Sequence, residues 1–333
     1  MKKFFYLLLA ICFISNCGKK ITDNSDNKIA VYVSGYKISD DGYNVEAVYW
    51  KNGKGIIIEN TIKNPSAESI FVLGKDIYIA VQDKDFKAKY WKNGEFIYLL
   101  ADSEKSLALS IFVSGNDVYV AGIDGFNNPV YWKNNKKVIL PVCLEYKDKG
   151  SSPSAIFVSW NDVYVSGMDG GRTAYWKNGK LFNLTTDSGE YMLKANSIFV
   201  VGRDVHIVGR GLGEGEFIVI RYWKNGKGID ITDGSKSASG NSIFVSNNDV
   251  YIAGDEDGRA KYWKNGKGVY LKNGTEANAI FVLGDDVYVA GYSGSPGKPE
   301  KTIAKYWKNG VAVNLTDGTH SAFAESIFVV EEK

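Results

Sequence analysis

Ser110-Ile111-Phe112-Val113-Ser114-Gly115-Asn116-Asp117-Val118-Tyr119-Val120-Ala121-Gly122, followed by Tyr131-Trp132-Lys133-Asn134-Asn135, is one copy of a unit that returns along the chain. The Trp of Tyr-Trp-Lys-Asn stands at 50, 91, 132, 176, 223, 263 and 307. The Phe of Ser/Ala-Ile-Phe-Val stands at 71, 112, 157, 199, 244, 281 and 328. A third element is Asp followed by Val/Ile-Tyr-Val/Ile. It starts at Asp76, Asp117, Asp162, Asp204, Asp249 and Asp286, with His206 replacing its Tyr once. A seventh copy, Ala30-Val31-Tyr32-Val33-Ser34-Gly35, lacks the Asp. Three elements recurring in register at a period near 40–47 residues mark a repeat architecture.

Each unit reads as four short strands. Strand a is Ile-Phe-Val, and a short turn such as 114–116 leads into strand b, the Val-Tyr-Val element. Strand c ends in Tyr-Trp-Lys. Strand d follows Asn-Gly at 52–53, 93–94, 178–179, 225–226, 265–266 and 309–310, and Asn134-Asn135 in the third copy. Asn-Gly supplies the two positive-φ residues of a type I′ hairpin, and a second Asn also tolerates that region. Val, Ile, Tyr and Trp in strands b and c suit a pleated, half-buried surface.

Four strands in about 40–45 residues is a β-propeller blade. The chain starts at strand b of an incomplete unit and stops just after a lone strand a, Ile327-Phe328-Val329. The two fragments complete one another. The sequence therefore predicts an all-β, seven-bladed β-propeller with four antiparallel strands per blade. Its ring is closed by a split blade, with strands b, c and d from the N-terminus and strand a from the C-terminus. An open solenoid would not need complementary ends and would want polar caps. Closure removes the free sheet edges that invite aggregation, and a monomer is expected. The pattern resembles seven-bladed repeat propellers in general. More closely, it resembles bacterial lipoproteins with Tyr-Trp-Lys-Asn-Gly repeats, over residues 29 to about 330. The resemblance implies a fold and no activity, because propellers host enzymes, lectins and scaffolds alike.

The N-terminus reads as an export signal. Met1-Lys2-Lys3 is basic, and Phe4 to Ile14 is apolar but too short to span a bilayer as a helix. Ile14-Ser15-Asn16-Cys17 resembles the lipobox of bacterial lipoproteins, with Asn16 where Gly or Ala is usual. The resemblance implies that residues 1–16 are a signal peptide and that Cys17 is lipidated as the new N-terminus. Residues 17–28 then form the lipidated end and a polar tether, and 29–333 the propeller. Acyl chains burying about 0.8 kcal/mol per CH₂ would anchor the protein to a membrane. The alternative is an ordinary cleaved signal with an unmodified cysteine. Cys143 lies in the apolar stretch Val138-Ile139-Leu140-Pro141-Val142 and reads as a small buried hydrophobe.

Composition excludes other classes. The chain carries 40 Lys and Arg against 38 Asp and Glu, and loss of residues 1–16 removes Lys2 and Lys3 and no acid. A neutral chain has no electrostatic drive to bind nucleic acid. Two His and three Cys leave little for a His- or Cys-rich metal site. No Ser-His-Asp set, phosphate-binding glycine loop, Cys-x-x-Cys or His-Glu-x-x-His occurs. His206 and His320 lie in different blades with no evident partners in the sequence. No cofactor is expected.

The repeated Trp residues read as core between adjacent sheets. The recurrent Asp and Lys at the a–b and c–d hairpins read as turn chemistry with exposed ion pairs. Trp160 is different. It stands in an a–b turn where Gly74, Gly115, Gly202, Asn247 and Gly284 hold the equivalent position, which suggests positive φ. A large aromatic there is an alternative partner contact, against a turn that has adapted to cover neighbouring side chains.

On the opposite face the b–c connections vary and look acidic. They carry Asp40 and Asp41, Asp83 and Asp85, and the run Asp255-Glu256-Asp257. Loops on a rigid scaffold are where recognition usually lies. None shows the full Asp-x-Asp-x-Asp-Gly run of a calcium loop, so solvated turns are the default. Just before strand a stand Glu68, Leu109, Ser154, Asn196, Asn241, Asn278 and Glu325, expected to ring the mouth of the central channel. Glu68 and Glu325 fall in adjacent blades. Paired carboxylates suit acid–base work on a glycoside, and polar lining of a wet channel is the plainer reading.

The sequence thus predicts a lipid-anchored, non-catalytic binding or scaffold protein of the bacterial cell envelope, on the outer membrane if there is one. It would recognise an envelope protein or a glycan through the variable-loop face. The alternatives are a polysaccharide-active enzyme with a carboxylate pair at the channel mouth, and a purely structural surface protein.

Overall fold

A computed structural model describes residues 28–332, apart from 41, 62–63, 83–84, 126–127, 185–193, 214–216 and 295–300. Seven four-stranded antiparallel sheets succeed one another as the blades of a seven-bladed β-propeller. Blade 1 is the split blade. Its strand a is Ala322–Glu332, and its strands b, c and d are Lys28–Ile38, Val45–Lys51 and Lys54–Thr61. Blade 2 has strands Ser66–Leu73, Asp76–Gln82, Lys89–Lys92 and Glu95–Tyr98. Blades 3 to 7 occupy 106–139, 152–183, 195–230, 238–270 and 276–314. Each runs a-b-c-d, with no crossover.

The hairpins follow from local chemistry. The first residue of every c–d turn is an Asn at φ 46–52°, and the second is Gly, or Asn135 at 64°. That Asn does more than turn the chain. Asn134 Oδ1 accepts the N–H of Val118 at 2.9 Å, and its Nδ2 donates to Asp117 Oδ1 at 2.6 Å. The same amide-to-carboxylate bond joins Asn93 to Asp76, Asn178 to Asp162, Asn225 to Asp204, Asn265 to Asp249 and Asn309 to Asp286. Each of these carboxylates also meets the Lys of Tyr-Trp-Lys at 2.7–3.0 Å. The recurrent Asp and Lys are therefore hairpin chemistry on one face of the ring. The Lys and then the Asn hold the Asp117 carboxyl below the usual range.

The core lies between blades. Trp50, Trp91, Trp132, Trp176, Trp223, Trp263 and Trp307 are 0–8% exposed. Trp132 packs with Phe71, Ala80 and Leu99 of blade 2, and its Nε1 donates to Leu100 O at 2.6 Å. Around the channel the seven Phe of strand a form a closed annulus. Neighbouring rings sit 4.6–5.0 Å apart, and the contact of Phe71 with Phe328 at 4.7 Å completes the circle. The serines of Ser-Ile-Phe-Val stitch adjacent blades. Ser69, Ser110, Ser197, Ser242 and Ser326 each accept the N–H of the next blade's Ile at 3.2–3.3 Å.

Strand a is longer than the Ile-Phe-Val triad. It extends backwards through a β-bulge that recurs in all seven blades. The bulged residues are Glu68, Leu109, Ser154, Asn196, Asn241, Asn278 and Glu325. Opposite the bulge, strand b carries glycine in six blades. A Cβ at Gly122 or Gly254 would lie 1.8 Å from the carbonyl oxygen of Leu107 or Ser239, so only glycine fits there.

Two other expectations change. Cys143 is half-buried rather than buried, and its N–H donates to the Asp169 carboxylate at 3.1 Å. His206 has a partner, the Tyr222 hydroxyl at 2.7 Å from Nδ1. Burial pushes the His206 pKa down and that of Tyr222 up to about 12.

Candidate binding site

A bulge re-aims a side chain that regular alternation would send elsewhere. Here it delivers the bulged residues to the channel mouth on the face of the b–c and d–a connections. A second layer comes from the residue two places earlier: Ser66, Leu107, Ser152, Lys194, Ser239, Glu276 and Phe323. A third comes from strand b opposite them: Gln82, Ile123, Met168, Arg210, Asp255, Tyr292 and Tyr36.

The layers are not uniform round the ring. Blades 6, 7, 1 and 2 contribute an acidic and aromatic crescent: Asp255, Glu276, Tyr292, Glu325, Tyr36, Phe323 and Glu68. Blades 3 and 4 contribute the apolar Leu107, Leu109, Ile123 and Met168, and blade 5 contributes Lys194 and Arg210. Tyr292 donates its hydroxyl to Glu276 Oε2. Tyr36 stacks on Phe323 at 4.7 Å, and Tyr292 meets the same ring edge-on at 4.9 Å. Asn278 Nδ2 donates to Glu325 Oε2 at 3.1 Å and to Ala324 O at 3.0 Å.

The electrostatics link these groups neighbour to neighbour. Burial pushes the Glu325 carboxyl up to about 8, and the negative charges of Glu68 and Glu276 add to it. Burial also raises Glu68. Asp255 is raised to about 6 by burial and then by Glu276, while Arg210 pulls it back. Burial raises the Tyr36 phenol to about 12, helped by Glu325, Glu68 and Glu276. Tyr292 is raised as well, by burial and by its bond to Glu276. In blade 5, next to Asp255, burial and then Arg210 lower the Lys194 ammonium. The crescent is a place where negative charge is crowded and poorly solvated. A cationic group placed among these oxygens relieves that repulsion, and the Tyr and Phe faces add cation–π attraction. Among the described residues no three His, Cys, Asp or Glu side chains converge as metal ligands.

The structure divides the acidic residues singled out from sequence. Glu68 and Glu325 come together, and Asp255 joins them through Glu276. Asp255 and Glu256 are the end of a strand (Asp249–Glu256), not loop residues, because the b–c turn is only Asp257-Gly258. Glu256 meets Lys261 at 2.6 Å, away from Asp255. Asp257 at φ 55° is exposed and meets Lys236 at 3.2 Å. Asp40 is exposed and lies 3.6 Å from Lys37. Asp85 is exposed on its loop. Asp41, Asp83 and Cys17 lie outside the described residues. The bulged Asn residues act as clamps: Asn196 and Asn241 donate to carbonyls of the next blade, Gly240 O at 2.8 Å and Ala277 O at 3.1 Å. Sequence reasoning missed Glu276, Tyr36, Tyr292, Phe323, Lys194 and Arg210. A signal existed: Tyr36, Ile123, Met168, Arg210, Asp255 and Tyr292 each follow the strand-b glycine.

Comparison with known proteins shows the fold alone. No family model matches the chain, and no curated protein matches it. Among solved structures it is similar to the extracellular domain of a hybrid two component system from B. thetaiotaomicron, at 11% identity and TM-score 0.51. That match covers 77% of this chain and 37% of the other. It is likewise similar to a Mycobacterium tuberculosis puromycin-hydrolyzing peptidase, at 11% identity and TM-score 0.51, over 90% of this chain and 52% of the other. The chain thus spans about a third to a half of those proteins. YCF48 bound to D1 peptide matches at 10% identity and TM-score 0.49, over 80% of this chain and 94% of that one.

Proposed function

We propose that this propeller is a non-catalytic binding protein of the bacterial cell envelope, lipid-anchored through Cys17, that takes its ligand at the channel mouth. The supporting observation is the convergence of Glu68, Glu276, Glu325 and Asp255 with Tyr36 and Tyr292, flanked by Lys194 and Arg210. Crowded, half-buried carboxylates cost stability, and such strain is retained where function uses it. The ligand is a protein or glycan segment bearing an ammonium or guanidinium group. The polar tether would place the face of the ring within reach of envelope partners on the outer membrane, where one exists.

The test is capture from envelope extract by the soluble body, residues 29–333. Glu68→Gln, Glu325→Gln and Asp255→Asn combined should abolish capture while the melting temperature is kept or raised. Undiminished capture by that variant would remove the site from the channel mouth. A second reading has one observation in its favour. A carboxyl held protonated near neutral pH beside a second carboxylate is the arrangement of a glycosidase acid–base pair. Turnover of a polysaccharide, lost in Glu325→Gln with the fold intact, would replace binding by catalysis.

A further inference from the structure

The face opposite the channel mouth carries the a–b and c–d hairpins, and one of them breaks the pattern. The first a–b turn residue lies at φ 58–61° in Gly74, Gly115, Gly202 and Gly284, and at 51° in Asn247. In blade 4 the same place is held by Trp160 at φ 57°. A bulky residue in that region is strained. Burial does not offset the strain, because the Trp160 side chain is 82% exposed while the other seven Trp are 0–8% exposed. The fold gains nothing from this tryptophan that a glycine would not supply better.

Trp160 forms one wall of a cavity of about 550 Å³ between blades 4 and 5. The rest of the lining is Ser159, Asp162, Tyr164, Lys177, Gly202 and Arg203. Asp162 and Lys177 pair at 2.7 Å and cancel one another, so Arg203 leaves the lining with a net positive charge. A protein hot spot would want an apolar surround that excludes water. Here the groups beside the indole are the small Ser159 and Gly202, the charged Asp162, Lys177 and Arg203, and a single further aromatic, Tyr164, which is itself buried. A flat apolar face next to a forked donor suits a ring with a C–H face, many hydroxyls and a carboxylate.

We infer that this cavity is a second binding site, for an acidic saccharide whose ring lies on Trp160 and whose carboxylate meets Arg203. It is independent of the channel mouth, which lies on the other face.

The probe is a short oligogalacturonate, with an uncharged cello-oligosaccharide of equal length as control. Because Trp160 is the exposed one of eight tryptophans, acrylamide quenching of fluorescence reports on it. Oligogalacturonate should protect Trp160 from acrylamide, and the uncharged chain should protect it more weakly. By calorimetry, Trp160→Gly should weaken oligogalacturonate binding roughly thirtyfold or more, without lowering the melting temperature. Arg203→Gln should bring the acidic chain down to the affinity of the neutral one. The combined Glu68, Glu325 and Asp255 variant should bind oligogalacturonate as the wild type does, which separates this site from the first. The inference is overturned by unprotected Trp160 at millimolar oligogalacturonate, by unchanged binding in Trp160→Gly, or by protection from anionic lipid vesicles alone.

Discussion

Lys51 Nζ lies 2.6 Å from Glu332 Oε1, and the Tyr32 hydroxyl donates to the same oxygen at 2.8 Å. In the other six blades the partner of this Lys is the Asp that opens strand b. Blade 1 has no such Asp, and the carboxylate arrives instead from the far end of the chain. Glu332 thus rebuilds the hairpin cluster across the seam, while Ser326 Oγ accepts Ile70 N at 3.3 Å on the other side of it.

The seam can be tested in two grades. Glu332→Ala removes a part-exposed ion pair and should cost at most about 1 kcal/mol, less at high salt. Deleting residues 326–333 removes most of a strand that pairs with Lys28–Ile38 along its length and opens the Phe annulus. That change should cause a large fall in melting temperature, with aggregation seen by light scattering. A truncated protein that melts with the wild type would contradict closure by the split blade.

The blade interfaces carry most of the stability. Trp176 is fully buried, packs with Leu140, Ile156 and Val165, and donates Nε1 to Pro141 O at 2.7 Å. Trp176→Ala should cost about 3–5 kcal/mol in urea unfolding. It also leaves that carbonyl without its donor.

The channel mouth makes stability depend on pH. Glu325 is raised to about 8 in the folded protein, so between its ordinary range and pH 8 the folded state holds a proton that the unfolded chain has lost. Stability therefore falls as pH rises through that window. Asp255, raised to about 6, adds the same sign at lower pH. Glu325→Gln should melt above the wild type at pH 8.5 and near it at pH 4.5. The residual slope should lie mainly below pH 6. Equal melting of the two proteins at pH 8.5 would show that the Glu325 charge is not crowded.

Trp160→Gly should stabilise the fold. It relieves a left-handed tryptophan that is otherwise solvent-exposed, a gain of about 1 kcal/mol after the entropy cost of glycine. A melting temperature below that of the wild type would show that the indole contributes packing.

Anchoring is tested at Cys17. Cys17→Ala should abolish fatty-acid labelling and release the protein from membranes. Undiminished acylation in that variant would show the lipobox reading to be wrong, and an unacylated wild type would leave the ordinary cleaved signal as the reading.

The blades were legible in the sequence because their rules are local. An Asn-Gly pair turns a hairpin whatever surrounds it, and a Trp at the same place in every unit meets the same neighbour in every unit. The count of seven and the split blade followed from those repeats. The site was only partly legible. Glu68 and Glu325 were found because they precede a recognisable motif, and Asp255 was found but placed on a loop. Tyr36 and Tyr292 follow the strand-b glycine, and Glu276 and Lys194 stand two places before the bulged residue; the repeats mark these places but not the residue types that fill them. Tertiary structure decided two things: the bulge that turns these side chains into the channel, and the replacement of an absent Asp by Glu332. Local propensity sets the strand and its turn. Which charges meet across a channel depends on how seven sheets are packed round one axis, and the sequence states that packing only through the sum of its blades.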